Sequence, residues 1–568
     1  MRRLFSLLTA SLPLALLAAA LPATAQDASA ATGYRVRGTV VNAITGQPIA
    51  RALVALAQDQ AILTNSDGEF SFDNVPAGQY FVSVNKPGFQ DFGGMGRGMV
   101  MRIGRGGIPP RPQPPIRVQV GPDMPALTIR IAPLAMIVGH LTLSTADPAD
   151  GIQVQVFVRQ LQNGRPHWSI AGQARSRSDG SFRIANLQPG TYMVSTQASL
   201  DRPGSSVSLP ASTPANARLS IWGYPSLYYP GVTDIAAAST LTLGAGQQAE
   251  ADIALVRQQF FSVTALVHSS ADNPGNFQIL DSGGRPTGLS ANWDRRDGVV
   301  RAAVPNGTWT MESHAYGRNA EWGSTPFQVN GAPVSFAVSV VPVPHIPVVI
   351  RREFLTSADS SQPPPSGPGM NLALLPADEI GNVTGGLNQT DGSGGSEWEL
   401  NVDKPGRYWV QAFGFPPDYI SSITSGGVDL GSNPLVVVPG STPLPVEVTL
   451  RNDPGTITGQ LATENPAPSG PTPASGERPQ VWIYAIPLFS TSANLPEGSL
   501  QSNNQFFIPN LAPGSYRVVA CDAPQEIDFH SAPGLAAWAG KGQTVTVDPG
   551  GTASVDLDVI HVTAAATE

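Results

Sequence analysis

The chain has 568 residues, with 33 Lys+Arg against 42 Asp+Glu, a formal net charge of −9 and one cysteine. A lone cysteine excludes an intramolecular disulfide framework and a Cys-rich zinc module, and an acidic chain lacks the basic surface that nucleic-acid binding requires. Charged residues are only 13% and hydrophobic ones 41%, so despite 59 Gly and 54 Pro the sequence can bury cores, and its length asks for several.

Residues 1–25 read as an export signal. Arg2 and Arg3 form the positive end, Leu4 to Leu21 the apolar stretch, and Ala23-Thr24-Ala25 a small-residue cleavage site. No later stretch reaches the roughly 18 continuous apolar residues of a membrane helix. The mature chain is therefore expected outside the cytoplasm, as a periplasmic, cell-surface or secreted protein without a transmembrane anchor.

One pattern then recurs about every hundred residues: an apolar or aromatic residue, a Pro-Gly or Pro-x-Gly turn, and an aromatic two positions after the glycine. It appears as Phe70…Pro76-Ala-Gly78-Gln-Tyr80, Phe182…Pro189-Gly190-Thr-Tyr192 and Val299…Pro305-Asn-Gly307-Thr-Trp309. It returns as Trp398…Pro405-Gly406-Arg-Tyr408 and Phe506…Pro513-Gly514-Ser-Tyr516. The flanking runs, such as Phe70-Ser-Phe72 and Tyr80-Phe-Val82-Ser-Val84, alternate as half-buried strands do. Opening strands carry Val36-Arg-Gly38-Thr-Val40, Ile137-Val-Gly139-His-Leu141 and Ile457-Thr-Gly459-Gln-Leu461. Closing strands are expected at 127–131, 251–255, 446–450 and 555–559. The fold class is all-β: a tandem array of about five β-sandwich domains, at 34–133, 134–256, 257–344, 345–452 and 453–562. Short junctions predict a string of beads, and no amphipathic helix stands out.

The stretch Gly38-Thr-Val40…Pro48…Ser66-Asp-Gly68-Glu-Phe70…Pro76-Ala-Gly78-Gln-Tyr80 resembles the carboxypeptidase regulatory-like domain. That resemblance implies a transthyretin-like sandwich grouped with carbohydrate-binding-like folds. In carboxypeptidases the module sits beside the zinc-peptidase domain and has no catalytic role itself.

Catalytic signatures are missing from the sequence. None of His140, His167, His268, His314, His345, His530 and His561 has a glutamate three residues on, as a zinc carboxypeptidase needs. Cys521 follows a repeat strand and is expected in a core. The Asp-Gly pairs at Asp67 and Asp179 read as turns, without a calcium loop's stacked oxygens. No enzyme activity, cofactor or metal is expected.

Two stretches offer binding chemistry. Trp222, Tyr224, Tyr228 and Tyr229 crowd a Pro/Gly-punctuated segment, where rings would either stack on sugar faces or pin a long loop to its own sandwich. Trp168, near Arg165 and His167, carries the same ambiguity. Arg97, Arg102, Arg105, Arg111 and Arg117 lie in a Gly- then Pro-rich arm with no acidic residue. That arm would either touch anionic envelope polysaccharide or be a solvated insertion. Its Met95, Met99 and Met101 lack the His or Cys of a soft-metal site. The functional expectation is an exported, non-catalytic protein that binds or scaffolds at the cell envelope, with carbohydrate as ligand class. The alternatives are a spacer without ligand and an accessory subunit of an envelope peptidase.

Overall fold

The structure is a computed structural model. It describes residues 33–56, 60–90, 116–122, 124–143, 147–201, 221–269, 274–315, 321–353, 369–378, 380, 385–389, 398–462, 481–501 and 504–561. The expected export signal and both Pro-rich stretches, 362–368 and 465–479, lie outside these residues. Strands dominate; the helices among the described residues are one turn of α-helix, Ala532–Ala537, and a 3-10 turn, Ile235–Ala237.

One pairing scheme recurs five times. An opening strand runs antiparallel to the strand that carries the repeat's apolar or aromatic residue and parallel to a closing strand. In the first repeat Tyr34–Asn42 lies between Glu69–Val75 and Leu127–Ile131. The same holds for Ala135–Leu143 with Ser181–Leu187 and Ile253–Leu255, and for Gln258–His268 with Val299–Pro305 and Val334–Ser339. It holds again for Ile346–Glu353 with Trp398–Asn401 and Val446–Arg451, and for Gly455–Gln460 with Gln505–Leu511 and Thr552–Ser554. The last closing strand thus precedes the 555–559 run, in which Val555 N and Leu557 N still donate to Thr458 O and Gln460 O of the opening strand. A second sheet in the first, second and fourth repeats is built on the strand that follows the Pro-Gly turn, Gly78–Asn85, Gly190–Thr196 and Gly406–Gly414. In the third and fifth the equivalent strands, Gly307–Ala315 and Gly514–Cys521, belong to the same hydrogen-bonded sheet as the opening strand, which continues through intervening strands. The alternating apolar residues of these strands meet in separate buried clusters, one for each of the first four repeats and two in the fifth.

The structure gives the recurring sequence pattern a cause. In the last four repeats the aromatic after the turn swings back over it: Tyr408 Oη donates to Lys404 O (2.6 Å) and Tyr516 Oη to Ala512 O (2.7 Å). Tyr192 Oη donates to Gln188 O in the same way, and Trp309 substitutes its indole N–H, donating to Pro305 O (3.0 Å). A large ring is buried and its polar atom satisfied by one bond, which fixes the corner between the sheets. Burial pushes the Tyr192 phenol up to about 12. Glycine at 38 and 139 has an equally local reason. A methyl at Gly38 would strike Leu127 O and the Phe70 ring, and one at Gly139 would strike Ala251 O and the Phe182 ring. The closing strand and the buried phenylalanine both need that space.

A further recurrence is easy to overlook. Asn74, Asn186 and Asn510 sit at φ of 58°, 61° and 60°, where the antiparallel register slips beside the opening strand. Asparagine tolerates the left-handed conformation better than most residues, so each makes the bulge that aims the following turn.

Candidate binding surfaces

The aromatic segment begins as a strand and ends in a turn that holds Tyr228 and Tyr229. Ile221–Tyr224 is a strand paired antiparallel to Gln258–His268, with Ile221 opposite Phe260, and to Ser199–Leu200 on its other side. It continues the third repeat's sheet into the second repeat, and the packing around each ring decides which are covered. Tyr224 is buried in the second core; Tyr228 is buried where it bridges to Ser195, with Arg285 on its ring. Loss of solvent raises both phenols above their ordinary value. Tyr229 is half-buried against the same core. Only Trp222 is exposed, at 38%, and Arg257 lies over its ring at 4.9 Å while pairing with Asp201 at 2.6 Å. Tyr224 and Tyr228 are buried, the arrangement that the pinning alternative describes.

Arg97, Arg102, Arg105 and Arg111, with the three methionines, lie outside the described residues. Arg117 falls on the strand Ile116–Val120, its backbone opposite Phe81. Cys521 is fully buried and its thiol is pushed up to about 11 by burial, which matches the core reading and leaves little thiolate at neutral pH. Among the described residues no three His, Cys, Asp or Glu side chains gather as a metal set.

A groove of about 580 Å³ lies on the first repeat, lined by Arg35, Arg37, Thr39, Asn65, Glu69 and Ser71, with Ile62 and Leu63 beside them. Its floor is the outward face of Tyr34–Asn42 and Glu69–Val75, where Arg37 stands opposite Ser71 and Thr39 opposite Glu69. Arg35 is neutralised by Asp73 at 2.7 Å, and Glu69 accepts from Asn65 Nδ2 at 3.2 Å. Ser71 Oγ is buried with no partner, and the Arg37 guanidinium forms no bond among the described residues.

A second constellation joins three repeats. Asn163 and Gly164, at φ 47° and 71°, make a two-residue hairpin turn between Gln153–Gln162 and Arg165–Arg175. The hairpin tip reaches residues of the fourth and fifth repeats. The Arg165 guanidinium carbon sits 3.5 Å over the Trp409 ring, and Nη2 donates to Gly431 O (2.9 Å) and to His530 Nδ1 (3.2 Å). Arginine only donates, so His530 Nδ1 must accept and the imidazole is neutral with its proton on Nε2. Burial first, then the Arg165 charge, hold His530 down to about 4, while Asp528 pulls the other way. Burial also lowers Arg165 to about 10. Around this centre Leu161 N donates to Glu526 Oε2, Asn163 Nδ2 donates to Ser492 O, and Trp168 forms a backbone bridge to Ile380. Lys404 reaches the buried Glu312 of the third repeat at 3.4 Å, and Ser490 Oγ donates to Asp429 across the fourth and fifth. The string-of-beads expectation fails here, because the hairpin tip closes the chain back on itself. Arg165 and Trp168 are visible in the sequence; Trp409, Gly431 and His530 are not linked to them by any local pattern. The Asn-Gly pair is the one signal that marks a projecting tip.

The described residues thus define an all-β protein of repeated sandwiches. Residues 35–94, the heart of the first, match the model of the carboxypeptidase regulatory-like domain. No protein of curated function matches the sequence. Among solved structures, the Bacillus anthracis TIE protein is 10% identical, covering 55% of this chain and 51% of its own, with a TM-score of 0.16. The chain thus spans about half the length of that protein. A streptococcal ancillary pilin is 10% identical over 54% of this chain and 99% of its own, with a TM-score of 0.19. The shaft pilin SpaA from Lactobacillus rhamnosus GG is 10% identical over 37% and 98%, with a TM-score of 0.14. Among the described residues no helix is long and apolar enough to cross a membrane.

Proposed function

We propose that the protein is an exported, non-catalytic scaffold of five sandwich domains that presents carbohydrate-binding surface at the cell envelope. The observation that carries the scaffold reading is Arg165. A charged side chain stacked on Trp409 and bonded to Gly431 O and His530 fixes three repeats against one another, which a flexible tether does not need. Export rests on the sequence of residues 1–25. Carbohydrate as ligand class is supported by the first repeat's groove, rich in hydroxyl, amide and guanidinium groups. Small-angle scattering on residues 26–568 tests the scaffold: a compact particle with fixed dimensions across salt supports it, and an extended, flexible profile overturns it. A glycan array with the same protein tests the ligand class, with retention of defined saccharides at physiological salt as the expected result. A spacer without ligand is the second reading, favoured by the burial of Tyr224 and Tyr228.

A further inference from the structure

We propose that the groove on the first repeat binds an acidic saccharide, with the Arg37 guanidinium paired to a ring carboxylate and Ser71 Oγ bonded to a neighbouring hydroxyl. The proposal rests on the carbohydrate reading above and names its site and its charge. The groove's volume, about 580 Å³, falls within the roughly 300–1,000 Å³ usual for small-ligand sites.

The lining chooses the ligand by elimination. Asp73 already neutralises Arg35, so a single cation, Arg37, faces the groove unpaired among the described residues. Phosphate-rich ligands would bring several negative charges against that one cation and against Glu69. A neutral sugar would leave Arg37 unmatched. The floor strand Tyr34–Asn42 is paired on both sides and offers no backbone edge, whereas Glu69–Val75 is the edge strand of its sheet, so a peptide is the competing occupant that the tripeptide tests. Over Tyr34–Asn42 recognition comes from side chains, and these are complementary to one carboxylate and several hydroxyls. Glu69 retains acceptor capacity for a hydroxyl donor, since its one bond is to Asn65. Ser71 Oγ, buried and without a partner, would gain the bond it lacks. Ile62 and Leu63, exposed at 38% and 55%, supply an apolar wall for the C–H face of a sugar ring.

Calorimetric titration of residues 26–568 with trimers of galacturonate and mannuronate, and with their methyl esters, tests this. The expected result is binding of at least one free acid. Its ester should bind at least tenfold more weakly, with the same loss in Arg37→Gln, because a bond to a charged group is removed. Ser71→Ala should weaken binding severalfold, and neither variant should shift the thermal midpoint, since both side chains lie on the outer face. Equal binding by Arg37→Gln, failure of both acids to bind, or tighter binding of a free-carboxyl tripeptide would overturn the site. If the acids fail while the array retains other saccharides, only this inference falls. If the array is also empty, the carbohydrate reading falls with it.

Discussion

The first repeat and the four that follow share a pairing scheme but are held in place differently. The first meets the second across a short junction, where Leu134 N donates to Gly88 O and Gln90 N to Ala132 O. The second joins the third by a shared sheet through Ile221–Tyr224, and reaches the fourth and fifth through Arg165. The difference teaches where the sequence spends its chemistry. The first repeat keeps a polar groove open, whereas the second commits its hairpin tip and aromatic segment to neighbours. Surface side chains of the second repeat are thus consumed by assembly where those of the first line an open groove.

The largest expected effect separates the two regions by their unfolding. Phe70 and Phe182 are equivalent buried rings in the first and second cores, and truncation of either to alanine should cost about 3–5 kcal/mol. In calorimetry Phe70→Ala should lower one transition and leave the remainder in place. Phe182→Ala should lower the transition of the joined repeats. A uniform shift of all heat absorption by Phe70→Ala would break the comparison.

Acid should act on the joined repeats through His530. His530 takes a proton near its ordinary value of 6.5 when unfolded but only at about 4 when folded. The unfolded chain therefore binds more protons between those values, so stability is intact above 6.5 and is lost as pH falls toward 4. The loss is on the order of 3 kcal/mol. Thermal midpoints measured down that range should fall in the wild type and fall less in His530→Gln. An identical fall in both would remove His530 from the explanation.

Removing the guanidinium itself should cost somewhat less, about 2 kcal/mol, as a buried stacking contact and a charge-assisted bond are lost. Arg165→Ala should open the particle in scattering and expose the 409–431 region to protease, while Arg165→Lys keeps the charge but not the planar stack. Unchanged dimensions in Arg165→Ala would show that the sheet continuity at Ile221–Tyr224 suffices.

How much of this was legible in the sequence follows from the same contrast. The turn, the aromatic two residues later and the glycine of the opening strand are all set within one repeat, so they stand at fixed spacing and can be read. Cys521 in a core was legible for the same reason. The Asn bulges at 74, 186 and 510 were present at fixed spacing too, as an asparagine before Val75, Leu187 and Leu511, and went unread. Trp222 to Tyr229 misled because composition gives the rings but not their neighbours. Trp222 and Tyr224 share one face of their strand, and only Tyr224, at its end, is covered by the second core. The junction at Arg165 depends on residues 365 apart in the chain, and no spacing rule reaches that far.

Trp222 carries the smallest and most discriminating prediction. Its ring is partly exposed and its described partner is Arg257, so Trp222→Ala should cost under about 1 kcal/mol. If the first repeat's groove is the ligand surface, Trp222→Ala should retain every saccharide that the wild type retains on the array, whereas Arg37→Gln should lose the acidic ones. If instead retention disappears with Trp222 and survives at Arg37, the ligand surface lies on the seam between the second and third repeats. Assembly and recognition would then share the same strand. Burial of Tyr224 and Tyr228 would acquire a second role, since a single exposed indole can present a stable face only if the strand beneath it is held rigid.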